Sequence, residues 1–134
     1  VEPYRSIERY SHVMHIVSGV KGKLNRGKDA FDLFSASFPA GTLVGAPKIR
    51  AMEIIEEMEI EGRGLYGGTA GYFDINGDMD QAITIRTIVF QGDSYSFQAG
   101  AGIVKDSDPS SEYAEVFAKS EILKKALKMA GEIL

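Results

Sequence analysis

Residues 69–90 read TAGYFDINGDMDQAITIRTIVF, and the Asn76-Gly77 pair in their midst decides the fold. Asn-Gly is a strong hairpin signal, because both residues accept the positive φ that a tight turn between twisted strands demands. The flanking residues, 69–74 and 79–90, are expected strands, and a turn at Gln91-Gly92-Asp93 leads to two more at 95–99 and 101–104. Upstream, Met14, Ile16, Ser18, Val20, Gly22 and Leu24 alternate with Val13, His15, Val17, Gly19 and Lys21, the period of a strand that begins near Tyr10. Asn25-Arg26-Gly27 is a turn, and Asp29 caps a short helix carrying Phe31, Phe34 and Phe38, stopped by Pro39. An irregular loop follows over 39–47, and Pro47 opens a helix whose Ile49, Met52, Ile55 and Met58 form the inward stripe. Asp108-Pro109 opens the last helix, with Asp as N-cap and Pro at the first helical position. The order strand, helix, helix, antiparallel β-meander, helix predicts the α+β class, with helices on one face of the meander.

The 134 residues suffice for a single domain with a core. A hydrophobic fraction of 44% and a charged fraction of 25% match a soluble globular chain. A net charge of −4 without a basic block argues against nucleic acid as a partner. The absence of cysteine excludes disulfides, thiolate metal sites and a cysteine nucleophile. No apolar run is long enough for a bilayer, and the opening VEPYRS lacks the pattern of a signal peptide. The expected setting is cytoplasmic, without a membrane partner. Glycine is concentrated in the loops at 41–45, 62–71 and 100–102, where tight turns or close backbone approach to a ligand would each use it.

The last helix distributes its charges unevenly. At about 100° per residue, Tyr113, Val116, Leu123, Leu127 and Ala130 share one face, and Glu121, Lys124, Lys125, Lys128 and Glu132 the opposite one. Glu112, Glu115 and Lys119 join neither solvent cluster and align with Ile122 and Ala126, on an arc expected to be buried. A charge there must be paired, hydrogen-bonded or bound to a metal. Two carboxylates one turn apart suit a hard divalent cation such as Mg²⁺. A Glu115–Lys119 ion pair, worth about a few tenths of a kcal/mol, is the simpler account and the favoured one on this helix alone.

Other candidates lie on loops and strands. GTLVGAPK at 41–48 lacks the Gly-Lys-[Ser/Thr] ending of a phosphate loop, and Pro47 removes an N–H where a phosphate would need one. What remains is Thr42, backbone amides and Lys48 near a helix start: an anion pocket or a plain helix-entry loop. AGAGIV at 99–104 is no dinucleotide fingerprint, but Gly100, Ala101 and Gly102 can present backbone N–H groups to a carboxylate. Arg86 shares a strand face with Ala82, Thr84 and Ile88; its fork suits a carboxylate, or faces solvent. His15 and Tyr66 each read as a packing residue or as a pocket residue, His15 with acid–base capacity. Together these groups suit a small dianion with carboxylates, handled with metal assistance.

The stretches HVMHIVS (12–18), FPAGTLVGAPKIRAMEII (38–55), YGG (66–68), AITIRT (82–87) and AGAGIVKDSDP (99–109) closely resemble the chorismate-utilising enzymes. Within that family the SHVMH strand and the GTLVGAPK loop are most similar to component I, the large subunit, of anthranilate synthase. The likeness runs in order through essentially the whole chain. It implies that Glu115 binds Mg²⁺ directly and Glu112 through water. It implies that Arg86, Tyr66, Lys119 and the backbone of Gly100, Ala101 and Gly102 hold the chorismate carboxylates and enolpyruvyl arm. Thr42 resembles a threonine beside the ring, and His15 a histidine of the ring chemistry and pyruvate elimination. The activity implied is that of a lyase of tryptophan biosynthesis. It converts chorismate and ammonia to anthranilate and pyruvate, with Mg²⁺ as Lewis acid and a glutamine amidotransferase subunit as ammonia source.

The resemblance also implies that residues 1–134 correspond to the C-terminal part of the family's catalytic domain. The family's upstream part supplies a further metal-binding glutamate, the segment that separates amination from hydroxylation, and a tryptophan-sensing region. The family fold packs two orthogonal sheets between helices, so this piece is expected to expose an apolar surface, to self-associate through it and to be inactive alone. The same residues leave room for an aminodeoxychorismate or isochorismate synthase, or for a non-catalytic carboxylate-binding domain. The SHVMH strand favours anthranilate.

Overall fold

The structure, a computed structural model, describes residues 1–9 and 14–133. Tyr10, His12 and Val13, part of the expected first strand, lie outside the described residues. The α+β class and the antiparallel pairing expected from the sequence are both present. Strand β1 (Ser6–Arg9) pairs with β2 (Met14–Val17) in the register Ser6↔Val17 to Arg9↔Met14. Backbone bonds between Glu2, Pro3 and Gly19 prolong this ribbon beyond the strands. Its alternation is as expected, but the half-buried face carries Glu8, His15 and Val17, while Ile7, Met14 and Ile16 face outward.

Helix α1 (Ala30–Ser37) begins where the sequence places it. Asp29 accepts from the Asp32 N–H at 3.0 Å, and the Asp32 carboxylate accepts from the Asp29 N–H at 3.2 Å, a reciprocal capping box. Phe38 falls just past the helix rather than on it. The helix is held to the sheet by rings. Phe31 stacks on Phe73 with centroids 4.3 Å apart, and Phe34 meets Phe73 edge-on at 5.7 Å. The expected irregular loop contains a single helical turn, α2 (Gly41–Val44), followed by α3 (Lys48–Met58). Lys48 reaches back to the Ser37 carbonyl at 2.9 Å, satisfying an acceptor at the end of α1.

The α3 stripe differs from expectation. Ala51 and Ile55 take the half-buried side, whereas Ile49 and Met58 are 71% and 75% exposed. A Cβ at Gly45 would lie 3.0 Å from that of Ala51, so the end of α2 packs closely on the Ala51 side of α3.

Strands β3 (Thr69–Phe73) and β4 (Met79–Ile83) form the hairpin that Asn76-Gly77 announces. Gly77 has φ +88, and Asp74 accepts from the N–H groups of Asn76 and Asp78 at 2.8 and 2.9 Å. The pairing continues through Gly67 N–H to the Thr84 carbonyl and Thr84 N–H to the Gly68 carbonyl. The long strand expected over 79–90 is interrupted after Ile83, and Arg86 beyond it adopts φ +51; a second hairpin then forms from β5 (Val89–Gln91) and β6 (Ser94–Ser96). Residues 101–104, expected as a strand, are irregular. Among the described residues the sheet is therefore three two-stranded ribbons.

Helix α4 (Pro109–Ile133) opens as expected, Asp108 accepting from the Ser111 N–H at 2.8 Å and its hydroxyl at 2.9 Å. Its covered side runs through Glu112, Val116, Lys119, Leu123 and Leu127, a helical stripe. Tyr113 and Ala130, expected on that side, are exposed. Leu123, 5% exposed, is the one buried apolar side chain among the described residues. No helix among them is long and apolar enough to cross a membrane.

Asp32 is held below the ordinary aspartate range, first by the hydrogen bond from Lys28 and then by the Asp29 N–H. A depressed folded-state pKa gives stability above the unfolded value and loses it as pH falls through the folded one. The first turn of α1 is thus expected to persist at about pH 5 and to loosen below about pH 4. Asp32→Asn should flatten that dependence. Cα chemical shifts of residues 29–33 in a pH titration read it, and an unchanged titration in the variant refutes the assignment.

Candidate active site

The irregular stretches converge on one cavity of about 400 Å³. Its wall combines His15 of β2, Thr42 and Leu43 of α2, Arg63 and Tyr66 from the loop after α3, and Ile85 and Arg86 after β4. Residues 98–102, with Lys119 and Leu123 of α4, complete it. His15, Thr42, Tyr66, Arg86, Gly100, Ala101, Gly102 and Lys119, the substrate-side candidates of the sequence, thus share one cavity.

The backbone explains how Arg86 gets there. A left-handed conformation costs a non-glycine residue roughly 1–2 kcal/mol. Here φ +51 falls just past the end of the β3–β4 ladder, and the side chain reaches His15 of β2. Its Nη1 lies 3.3 Å from His15 Nε2, and since a guanidinium only donates, Nε2 is the acceptor. Arg86 therefore does not stand on a strand face with Ala82 and Thr84, as alternation suggests.

On the opposite wall, Lys119 donates to the Gly100 carbonyl at 3.0 Å and forms an ion pair with Glu115 at 2.5 Å. The i,i+4 pair read from the helix is thus present. By holding the Gly100 carbonyl, Lys119 also fixes the 100–102 backbone. Tyr66 borders the same segment: a Cβ on Gly100 would come within 3.0 Å of the Tyr66 hydroxyl, so glycine lets backbone and phenol meet. The resulting wall offers a guanidinium, an ammonium, a phenol and backbone amides, a set built for a small ligand with more than one carboxylate.

The two glutamates stand apart from this wall. Glu112 is half-buried and lines a neighbouring cavity of about 330 Å³ with Ile103, Ser107, Tyr113 and Val116. Ala101 borders both cavities. Glu115 is exposed beside Lys119. Carboxylate oxygens one helical turn apart fit a hard cation, but no group of three His, Cys, Asp or Glu forms among the described residues. The donor chemistry fits Mg²⁺; two side chains supply only part of an octahedral shell.

Sequence reading missed Arg63, Leu43, Gln98 and Leu123 in the wall. Arg63, set between Gly62 and Gly64 in a loop already conspicuous for glycine, carried a usable signal.

Fold and wall together define an α+β unit with a cavity lined by arginine, lysine, tyrosine and glycine backbone. The profile of the family described as chorismate binding enzyme matches residues 1–125, and the chain belongs to that family. It is similar to anthranilate synthase component 1 of Aquifex aeolicus, 55% identical over 132 residues, covering 98% of this chain and 27% of that protein. The protein of the same name from Methanothermobacter marburgensis is also 55% identical over 132 residues, covering 98% of this chain and 29% of its own length. Among solved structures, anthranilate synthase component I from Streptococcus pneumoniae superposes with TM-score 0.85 at 46% identity, over 91% of this chain and 28% of that one. A Bacillus anthracis protein described as a 2,3-dihydroxybenzoate-specific isochorismate synthase gives 0.83 at 34% identity, over 92% and 33%. The chain thus spans between a quarter and a third of the length of these relatives.

Lys119→Met keeps the stem and removes the donor to Gly100. Amide exchange at residues 100–103 is expected to rise roughly tenfold, the worth of one such bond, with α4 helicity unchanged. Unaltered exchange there would show that the ammonium does not hold this segment.

Proposed function

We propose that this chain forms part of the catalytic domain of an anthranilate synthase component I, its C-terminal portion. The whole enzyme would convert chorismate and ammonia to anthranilate and pyruvate. The observation that carries this reading is the convergence of Arg86, His15, Tyr66, Lys119 and the 100–102 backbone on one cavity. Chorismate presents a ring carboxylate and an enolpyruvyl carboxylate. Arg86 binds one in a bidentate manner; Lys119 and the amides of residues 100–102 bind the other. Tyr66 and Thr42 border the ring and orient it. His15 Nε2, released when Arg86 turns its Nη1–H to a substrate carboxylate, takes the ring proton as enolpyruvate departs and the ring becomes aromatic.

Glu112 and Glu115 would hold Mg²⁺ with donors from the substrate, water or the rest of the parent polypeptide. When bound there, the cation would screen the ring carboxylate and ease departure of the hydroxyl group. The higher identity to the anthranilate synthase structure, 46% against 34% for the isochorismate synthase, supports amination rather than hydroxylation. Ammonia would come from a glutamine amidotransferase subunit. The place of the reaction is tryptophan biosynthesis in the cytoplasm.

The test grafts this chain in place of the matching segment of the Streptococcus pneumoniae relative. Chorismate, Mg²⁺ and excess ammonium are added, and anthranilate is followed by its fluorescence. The graft is expected to make anthranilate and this chain alone to make none. Arg86→Met should weaken chorismate binding roughly 10- to 100-fold, the range for a lost charged hydrogen bond, and Glu115→Gln should abolish turnover. A graft that folds but yields isochorismate, or nothing, overturns the proposal.

A further inference from the structure

One cation of the cavity wall is already engaged on three sides. Arg63 directs Nε and Nη2 at the Glu59 carboxylate, at 2.8 and 2.5 Å, and Nη1 at the Leu43 carbonyl at 2.8 Å. Its guanidinium carbon lies 5.7 Å from the centre of the Tyr66 ring. A simple i,i+4 ion pair would use one edge of the fork and leave Nη1 to water. Here Nη1 instead reaches a carbonyl twenty residues away in sequence. The side chain is 24% exposed, so it is an inner part of the wall rather than a surface arm.

Each contact leads to a different part of the cavity. Glu59 is the residue just past α3, a rigid anchor. Leu43 follows Thr42 in the single turn of α2, too short to hold its own carbonyls. Tyr66 carries the hydroxyl that lies against Gly100. We propose that Arg63 is the positioning residue of this cavity, setting the Thr42 wall and the Tyr66 wall relative to each other and, through Tyr66, the 100–102 backbone. It works indirectly and does not itself bind the substrate; its effect on ligand affinity rests on the function proposed above. Lysine cannot replace it, because an ammonium cannot meet a carboxylate, a carbonyl and a ring face from one plane.

Hydrogen exchange and amide chemical shifts of the full chain, without ligand, test the clamp. In Arg63→Lys and Arg63→Met, exchange at Leu43, Val44 and Gly45 is expected to accelerate roughly tenfold. The amides of Gly100 and Gly102, which Arg63 does not touch, should shift as well. Glu53→Gln, which breaks the exposed ion pair with Arg50, should change neither. Should the Arg63 variants fail to fold, Glu59→Gln loosens the anchor and leaves Arg63 in place. It is expected to speed the same amides by about threefold.

Calorimetric titration with chorismate and Mg²⁺ adds the second arm. Arg63→Met should weaken binding roughly tenfold, and adding Tyr66→Leu to it should cost no more than Tyr66→Leu alone. Unchanged exchange at 43–45, unmoved Gly100 and Gly102 resonances, or additive losses overturn the proposal. If the unsubstituted chain alone binds no chorismate, the titration is made on the graft described above; a graft that binds none counts against the proposed function only, and exchange and shifts then decide the clamp.

Discussion

Two backbone hydrogen bonds, from Gly67 to Thr84 and from Thr84 to Gly68, govern the rest of this structure. They prolong the β3–β4 ladder past the last strand residues and fix which loops meet. Tyr66 leaves one side of that terminal pair and Arg86 the other, so a phenol and a guanidinium emerge at the same end of one hairpin. The Thr84 hydroxyl adds a bond to the Leu65 carbonyl, closing the loop before Tyr66. Arg86 can then leave the strand because the ladder has already ended; its φ of +51 breaks no pairing. A one-residue slip would move both groups and turn every hairpin side chain to the opposite face.

The second organising fact is how little of the apolar surface is covered within these residues. Ile7 and Ile16 sit opposite each other across β1 and β2, at 63% and 74% exposure, while the polar face with Glu8 and His15 turns inward. That orientation makes sense for the site, since it delivers His15 to Arg86. It leaves a cross-strand isoleucine pair in water, the kind of patch that another surface covers. The exposed side of α3 is the same case. Both belong to a chain that spans 27–29% of its relatives' length.

Local signals in the sequence were legible wherever a residue acts on its neighbours. Asn76-Gly77, Asp29 and Asp108 act within four residues, and their hairpin and two helix starts lie where their chemistry places them. The α+β class and the pooling of most site residues followed from them and from the family likeness. What was not legible depends on distant packing. Period two makes Arg86 part of a strand, because alternation cannot register a single residue with a left-handed backbone. Hydrophobicity assigns the α3 stripe to Ile49, Met52, Ile55 and Met58; Ile55 is half-buried, while the small Ala51, close against Gly45, shares its side in place of the others. Arg63 was passed over because its partners, at 43, 59 and 66, share no single spacing.

The distances along the chain between cavity partners bear on how the site comes into being. Leu65 and Thr84 are 19 residues apart, Gly100 and Lys119 also 19, and Leu43 and Arg63 20. His15 and Arg86 are separated by 71. Loop-closure entropy grows only slowly with length, about 0.6 kcal/mol per doubling. Yet the long closure becomes cheap only after the shorter ones have contracted the chain between its ends. By that scaling the contact between His15 and Arg86 costs about 1 kcal/mol more in closure entropy than any of the shorter ones. His15 is thus the member of the wall whose place depends most on the other contacts being in theirs.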